Sequence, residues 1–194
     1  MYIRFLKVQP VNKWNQKRTT MRRYDLTAEM YERRYTEEQE AKYKAALKTL
    51  NLNGKTVLDV GCGTGLLFRS VAGEAQIVVG VDVSSKLLLQ AKKHTRKFRN
   101  VNLVQADADH LPFISSYFSV VFAFTVLQNM PKPLETLSEI KRNATRDASV
   151  VVTGLKKVFT SEVFRTLLRN AGLSVFSLED AEALKCYVAV TVQN

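Results

Sequence analysis

Short apolar runs alternate with longer stretches of helical periodicity from residue 55 onward. The short runs, such as 55–60 and 76–83, are rich in valine and bounded by turn residues, which predicts buried strands. The longer stretches, such as 84–98, have the spacing of amphipathic helices. This alternation is typical of a mainly parallel sheet covered on both faces. The last two runs are too close together for a crossover helix, so the final strand should run antiparallel.

The region before residue 55 predicts helices and no strand. Two helical pieces are expected after residue 23, and the second should begin near Thr36, because Thr36 and Gln39 fit a capping box. Residues 1–23 lack apolar periodicity and include Pro10, which predicts a flexible arm. The expected organisation is a basic N-terminal arm at 1–23, a helical cap at 24–53 and an α/β domain at 54–194. The cap should bury a stripe formed by Tyr43, Ala46, Leu47 and Leu50.

Positive charge is concentrated in a few segments of this chain of 194 residues, whose formal net charge is +11. Residues 1–23 contain lysine and arginine but no acid. Such an arm can neutralise nucleic-acid phosphates, although a solvated tail explains the same pattern. The other basic clusters are Lys92, Lys93, Arg96, Lys97 and Arg99, and then Lys141, Arg142, Arg146, Lys156 and Lys157.

Several classes of protein fit the sequence poorly. No apolar run approaches the length of a membrane span, so we expect no membrane partner. The charged N-terminal segment is not followed by the apolar core of a secretory signal. Cys62 and Cys186 form no disulfide framework, which favours a reducing, cytoplasmic location. No spacing of cysteine and histidine predicts a metal site.

The stretch VLDVGCGTGLLF places Gly61, Gly63 and Gly65 directly after the first predicted strand. Ligands bind at the carboxyl edge of such a sheet, and glycine lets them approach the backbone. A dinucleotide fingerprint would need a third glycine where Leu66 stands. Asp59, just before the loop, would repel a pyrophosphate and attract an amine. The predicted ligand is therefore a nucleoside with a cationic amino-acid tail.

Four stretches in order, VLDVGCGTG, VVGVDVS, ADADHLPF and FSVVFAFTVLQNMPKP, resemble the class I S-adenosylmethionine (SAM)-dependent methyltransferases of the type 11 group. The resemblance runs from Lys55 to the C-terminus. It implies a Rossmann-like three-layer sandwich with helices on both faces of a seven-stranded, mostly parallel sheet. The implied strand order is 3-2-1-4-5-7-6 with strand 7 antiparallel. SAM is the implied cofactor, and S-adenosylhomocysteine is its product.

Residue roles follow from this resemblance together with the chemistry of the side chains. Asp82 should accept from the ribose hydroxyls and Asp107 from the adenine amino group. The adenine is expected between Val83 and Leu111. In related enzymes an aromatic residue of the N-terminal helix closes over the cofactor, which suggests Tyr31, although simple packing is an alternative. The full predicted cofactor-binding set is Asp59, Gly61, Cys62, Gly63, Gly65, Asp82, Val83, Asp107, Ala108, Thr125, Tyr31 and Arg34.

No catalytic base is evident, because many small-molecule methyltransferases place a histidine after strand 4 and this chain has Gln128 and Asn129 there. These amides could hydrogen-bond an amide or ring-nitrogen acceptor, which hints at a nitrogen nucleophile. The catalytic residue is left unassigned, with Gln128, Asn129 and Tyr31 as candidates.

The acceptor is open at this stage. The first hypothesis is an RNA methyltransferase acting on tRNA, supported by the basic segments. The second is a small-molecule or protein methyltransferase, and the third is a non-catalytic SAM-binding partner subunit. The sequence also leaves open whether a small activating protein subunit is required.

Overall fold

The computed structural model describes the backbone of residues 13–193 and their side chains, except those at 13, 23, 24 and 26–35. Over this range the chain forms one seven-stranded sheet of order β3-β2-β1-β4-β5-β7-β6. Only β7 runs antiparallel to its neighbours. The expected fold class is thus confirmed. The strands are β1 (Thr56–Val60), β2 (Ile77–Asp82), β3 (Val101–Gln105), β4 (Phe118–Ala123), β5 (Ala144–Leu155), β6 (Leu173–Glu179) and β7 (Cys186–Gln193).

Helices cover both faces of this sheet. They are α1 (Lys13–Leu47), α2 (Phe68–Val71), α3 (Ser85–Thr95), α4 (Pro133–Asn143) and α5 (Ser161–Asn170), with a 3-10 turn at Leu127–Asn129. One apolar core joins the sheet to α4 and α5, and a second joins it to α1, α2 and α3. These two cores make the sandwich three-layered.

Helix α1 corrects the expectations for the N-terminal region. It is one continuous helix of 35 residues that begins at Lys13, inside the segment expected to be a flexible arm. No glycine or proline interrupts residues 13–47, so nothing in the backbone forces a break. Thr36 and Gln39 lie in its interior, and the capping box is therefore wrong. Residues 1–12 of the expected arm lie outside the described residues.

Among the described side chains of α1, those that join the apolar core lie in its C-terminal part. Tyr43 and Ala46 are buried, and Leu47 and Leu50 pack partly against the same cluster. The Tyr43 ring meets that of Phe124 edge-on at a centroid distance of 4.9 Å. This contact anchors α1 beside the end of β4, where the predicted ligand edge lies.

Among the residues described, none of the helices has the length and apolar character needed to cross a lipid bilayer.

Candidate active site

A cleft opens at the carboxyl ends of β1, β2 and β4, under the N-terminal half of α1. It contains predicted cofactor residues from the glycine turn and from the segments after β2, β3 and β4. Helix α1 contributes two further residues that the sequence did not indicate. The lining residues are Lys17, Thr20, Gly61, Gly63, Val81, Asp82, Val83, Leu87, Ala106, Asp107, Ala108, Phe124, Thr125, Val126, Asn129 and Met130.

The glycine turn forms one wall, and its glycines have different roles. All three adopt positive φ angles. A Cβ on Gly63 would meet no atom within 4 Å, whereas one on Gly65 would lie 2.6 Å from the Phe68 ring. Gly61 and Gly63 line the cleft, while Gly65 lets the turn pack on Phe68. The bare backbone at Gly63 is thus the part of the turn that faces open space.

Asp82 closes the end of β2 and is held by the backbone. Its Oδ2 accepts from the N–H of Gly63 at 2.9 Å, and its Oδ1 accepts from the N–H of Ser84 at 2.9 Å. Burial raises the pKa of Asp82, the two backbone hydrogen bonds oppose that rise, and the charge of Asp25 adds to it. Ser84 is the N-cap of α3, because its Oγ accepts from the N–H of Leu87, and the same hydroxyl donates to Asp25 of α1. The carboxyl is therefore pre-positioned in the cleft and retains lone pairs for a donor.

Asp59 adds a second buried carboxyl close to Asp82. It is 3% exposed. Burial raises its pKa well above the ordinary 3.8, and the negative charge of Asp82 raises it further. Two such acids in one buried site favour a cationic or donor-rich ligand, whose binding would relieve their mutual repulsion.

Asp107 follows β3 and is engaged by α1. The Nζ of Lys17 lies 2.7 Å from both carboxylate oxygens of Asp107. The same Nζ donates to Asp109, which in turn accepts from Thr136. Burial alone would lower the pKa of Lys17, but its bonds to the two carboxylates raise it overall. Lys17 is therefore a charged group at the position predicted for the adenine amino group.

Thr125 forms the corner after β4 in a strained conformation, with φ at +63°. Its N–H donates to Thr153 Oγ1 over 2.7 Å. Its Oγ1 accepts from Gln39 Nε2 at 3.3 Å and from Lys42 Nζ at 3.4 Å. Lys42 is almost fully buried and pairs with Glu38 at 2.8 Å. Helix α1 thus supports this corner with polar groups.

The two predicted catalytic amides differ in position. Asn129 lines the cleft, and its Nδ2 donates to the carbonyl of Thr125 over 2.9 Å. Gln128 is not among the lining residues, and its buried Oε1 has no hydrogen-bond partner in the described structure. Asn129 is therefore the better placed of the two to meet an acceptor.

Other predicted residues lie away from the cleft lining or outside the description. Leu111 is buried in the core with α4 and α5, and the cleft instead presents Leu87 and Ala106 beside Val83. Cys62 packs under the turn, with its Sγ 3.0 Å from where a Cβ on Gly80 would lie. Burial raises the pKa of the Cys62 thiol well above its ordinary value. The side chains of Tyr31 and Arg34 lie outside the described residues, so their roles stay predictions.

The residues that the sequence missed come mainly from α1. Lys17, Thr20, Gln39 and Lys42 are polar, and their positions depend on how α1 crosses the sheet. Residues 13–23 contain no helix breaker, and this feature of the sequence could have predicted that α1 extends over them.

Family membership follows from this geometry and from comparison with known proteins. Residues 58–152 match the methyltransferase domain family. This domain belongs to the class I SAM-dependent methyltransferases, whose sheet order it shares.

The curated relatives that match this domain include two bacterial methyltransferases. Demethylmenaquinone methyltransferase of Staphylococcus saprophyticus is 36% identical over 103 residues, covering 51% of this chain and 44% of that protein. The tRNA U34 carboxymethyltransferase of Pseudoalteromonas translucida is 40% identical over 93 residues, covering 46% of this chain and 29% of that protein. The chain thus spans less than half the length of either relative.

Solved structures with this fold include proteins of nearly the same extent. Magnesium protoporphyrin IX methyltransferase of Synechocystis, solved with bound SAM, has a TM-score of 0.76 at 18% identity, covering 92% of this chain and 97% of that one. A methyltransferase in complex with the Haloferax volcanii Trm112 activator has a TM-score of 0.72 at 18% identity, covering 87% and 96%. At these identities the likeness concerns the fold.

The cleft fits SAM, the cofactor of this family, by its chemistry. SAM has hydrogen-bond donors on its adenine, its ribose and its amino-acid tail, and it carries a positive sulfonium. The cleft has acceptors in Asp107 and Asp82, and open space at Gly63. Asp59 is buried and is not among the lining residues, so it acts on the cleft through its proximity to Asp82. Asp107 and Asp82 would hold the adenine and the ribose, and Asp59 remains the predicted partner of the amino-acid tail.

Proposed function

We propose that this chain is a SAM-dependent methyltransferase whose acceptor is RNA, with tRNA as the first substrate to test. The observation that carries the proposal is that the acid-lined cleft lies between α1 and α3, two helices that both carry exposed cations. When bound, SAM supplies an electrophilic methyl group and a thioether leaving group, so the protein mainly needs to align the acceptor and exclude water. Asn129 is the side chain proposed to orient that acceptor.

The proposed basic surface is formed by α1 and α3, and it extends from the cleft along α3 to the turn after it. Helix α1 carries exposed Arg18 and Arg22, and its Asp25 contacts Ser84 at the start of α3. No carboxylate of the described residues forms an ion pair with the α3 cations, which suits a surface that awaits phosphates. The exposed cations of α3 and the turn after it are Lys86, Lys92, Lys93, Arg96, Lys97 and Arg99.

The later basic cluster gives the proposal less support. Arg142 pairs with Glu139, and Lys156 pairs with Asp180, both at 2.7 Å. Lys141 donates to the carbonyl of Gly172 over 3.1 Å. These cations already serve the fold, so the proposed RNA surface is confined to α1 and α3.

The first experiment identifies the acceptor. The full chain would be incubated with methyl-labelled SAM and with total RNA, protein and metabolite fractions. We expect label in the RNA fraction, with transfer RNA as the main labelled species. Label confined to metabolites would overturn the RNA proposal while leaving methyl transfer intact.

A second experiment tests the surface with a matched charge control. Replacing Lys92, Lys93 and Lys97 with glutamine should weaken tRNA binding and flatten its salt dependence, since fewer counterions are then released. The control replaces Lys157, Arg165 and Arg169 with glutamine; these cations are also exposed and lie in or near α5, on the opposite face of the sheet. Equal losses in both variants would indicate only a net-charge effect.

A quinone-like small molecule is the second candidate acceptor, favoured by the relation to demethylmenaquinone methyltransferase. In that case the chain should not bind tRNA, and the variant with glutamine at Lys92, Lys93 and Lys97 should keep full methyl-transfer activity. A protein acceptor would place the label in the protein fraction.

Partners and location complete the proposal. The archaeal neighbour in complex with a Trm112 activator supports testing a small activating subunit. A chain that binds SAM but transfers methyl groups only after a cell extract is added would fit that requirement. No transfer under any condition would favour a non-catalytic SAM-binding subunit. A cytoplasmic location is proposed because Cys62 and Cys186 are both free thiols.

A further inference from the structure

Lys17 and Thr20 of α1 line the cofactor cleft, and none of the described side chains at 14–22 and 25 belongs to the apolar cores. No described side chain between residues 14 and 25 is fully buried. The contacts of this segment with the domain include polar ones, namely Lys17 with Asp107 and Asp109, and Asp25 with Ser84. In the C-terminal part, by contrast, Gln39, Lys42, Tyr43 and Ala46 are buried. A segment held by few buried contacts can open locally at low free-energy cost.

Lys17 has the chemistry of the group that Asp107 is proposed to bind. An ammonium and an adenine amino group are both nitrogen donors. Lys17 Nζ lies 2.7 Å from each oxygen of Asp107, and the Oδ1 of Asp107 also accepts from the N–H of Asp109 at 3.0 Å. With only 10% of its side chain exposed, Lys17 lines the cleft itself. A donor entering from the cleft therefore meets a carboxylate that is already engaged.

We propose that Lys17 is a residue of the cofactor site that competes with the adenine amino group for Asp107, so that SAM binding releases the N-terminal half of α1. This inference rests on the proposed function, because it takes SAM as the ligand of the cleft. We call the contacts of Lys17 with Asp107 and Asp109 the latch. Asp109 is part of it because it accepts from Lys17 and is itself positioned by a hydrogen bond from Thr136. SAM affinity is then set partly by the strength of an internal ion pair.

The latch also links the cleft to the proposed RNA surface. Lys17 faces the cleft, while Arg18 and Arg22 of the same helical segment are exposed. When SAM displaces Lys17, this segment and its cations are freed at the rim, next to the basic α3. Cofactor binding should consequently strengthen tRNA binding, and by linkage tRNA should strengthen cofactor binding by the same factor.

The test measures SAM affinity by calorimetry in the full chain and its variants. Lys17→Met keeps the apolar stem and removes the ammonium, so SAM should bind about tenfold more tightly, because a charge-assisted bond no longer has to break. Asp109→Asn, which loosens Lys17 without altering Asp107, should shift the affinity in the same direction. Lys44→Met is the matched control, because Lys44 is an exposed lysine of the same helix. Its SAM affinity should equal that of the unaltered chain.

Trp14 supplies an independent readout, because it is the single tryptophan of the chain and precedes Lys17 by about one helical turn. Its side chain is 47% exposed. SAM should increase acrylamide quenching of Trp14 fluorescence in the unaltered chain, and Lys17→Met should show the increased quenching before SAM is added. Circular dichroism would verify that each variant is folded.

The outcomes separate the latch from the proposed function. Unchanged or weaker SAM binding in both Lys17→Met and Asp109→Asn, or Trp14 quenching that SAM does not alter, would overturn the latch while leaving SAM binding intact. If neither the unaltered chain nor any variant binds SAM, the proposed function itself fails.

Discussion

The backbone N–H of Gly63 donates a hydrogen bond to Oδ2 of Asp82 over 2.9 Å, tying the glycine turn after β1 to the end of β2. This bond joins the two features on which cofactor binding depends. It fixes the Asp82 carboxyl while the bare backbone of Gly63 leaves space beside it. Asp82 therefore holds the turn and is also the proposed acceptor for the ligand.

Removing the Asp82 carboxyl should sharply weaken cofactor binding. Asp82→Ala loses the acceptor for the ribose and the support of Gly63, and we expect the dissociation constant for SAM to rise about 100-fold. The fold should persist, because the β1–β2 pairing does not use this side chain. Calorimetry with SAM measures the effect, and the exposed Asp147→Ala serves as the control. Unchanged affinity in Asp82→Ala would show that the ribose lies elsewhere.

Gly63 and Gly65 should respond differently to substitution by alanine. Both have positive φ angles, so each alanine costs about 1 kcal/mol in backbone strain. At Gly65 the new Cβ also strikes Phe68, which adds about 1–3 kcal/mol of overpacking. Gly65→Ala should therefore lose more stability in urea unfolding, while Gly63→Ala should lose more SAM affinity. The reverse ranking would contradict the separate roles assigned to the two glycines.

Asp59 should make the free energy of unfolding depend on pH. Its pKa in the folded chain is raised above the ordinary 3.8, chiefly by burial. As the pH rises from that ordinary value towards the raised one, the unfolded chain releases the proton first, so stability falls and then levels off. Asp59→Asn removes this penalty and should raise Tm by several degrees at about pH 7.5, with the gain shrinking towards about pH 4. The exposed Asp147→Asn is the matched control. An equal gain of Asp59→Asn at both pH values would argue against the titration of Asp59.

Lys42 should stabilise the corner at Thr125. Lys42→Met retains the buried volume but removes the ammonium that bonds Thr125 and pairs with Glu38. Glu38 keeps its second partner, Lys185, at 3.0 Å. We therefore expect the free energy of unfolding to fall by about 2 kcal/mol and no more. Urea unfolding measures this loss, with the exposed Lys44→Met as the control. A Lys42→Met chain as stable as the control would show that Lys42 does not stabilise the corner at Thr125.

The sequence predicted the α/β domain well because its strands are buried valine-rich runs, such as β2, whose pattern depends on local composition. The strand order came from the family resemblance, and the antiparallel β7 from the short connection before it. Local chemistry also marks two helix starts, with Ser84 as the N-cap of α3 and Pro133 in the first turn of α4.

The N-terminal region could not be predicted in the same way. Thr36 and Gln39 have the local signature of a helix start, yet Gln39 is 5% exposed and bonds Thr125 across the fold. Lys17 reads as a solvated cation in any local pattern, but Asp107 and Asp109 lie about ninety residues later in the chain. Contacts between distant polar side chains leave no periodic pattern in the sequence. The contribution of α1 to the cleft was therefore missed, although the glycine turn and the acids at the strand ends were predicted.

A crystal structure of the full chain with S-adenosylhomocysteine tests the central claim most directly. The account predicts that the nucleoside lies in the cleft beside Gly63, with its ribose hydroxyls on Asp82 and its adenine amino group on Asp107. Lys17 should then have left Asp107. A nucleoside bound elsewhere, or a cleft that stays closed by Lys17 at saturating ligand, would contradict the account.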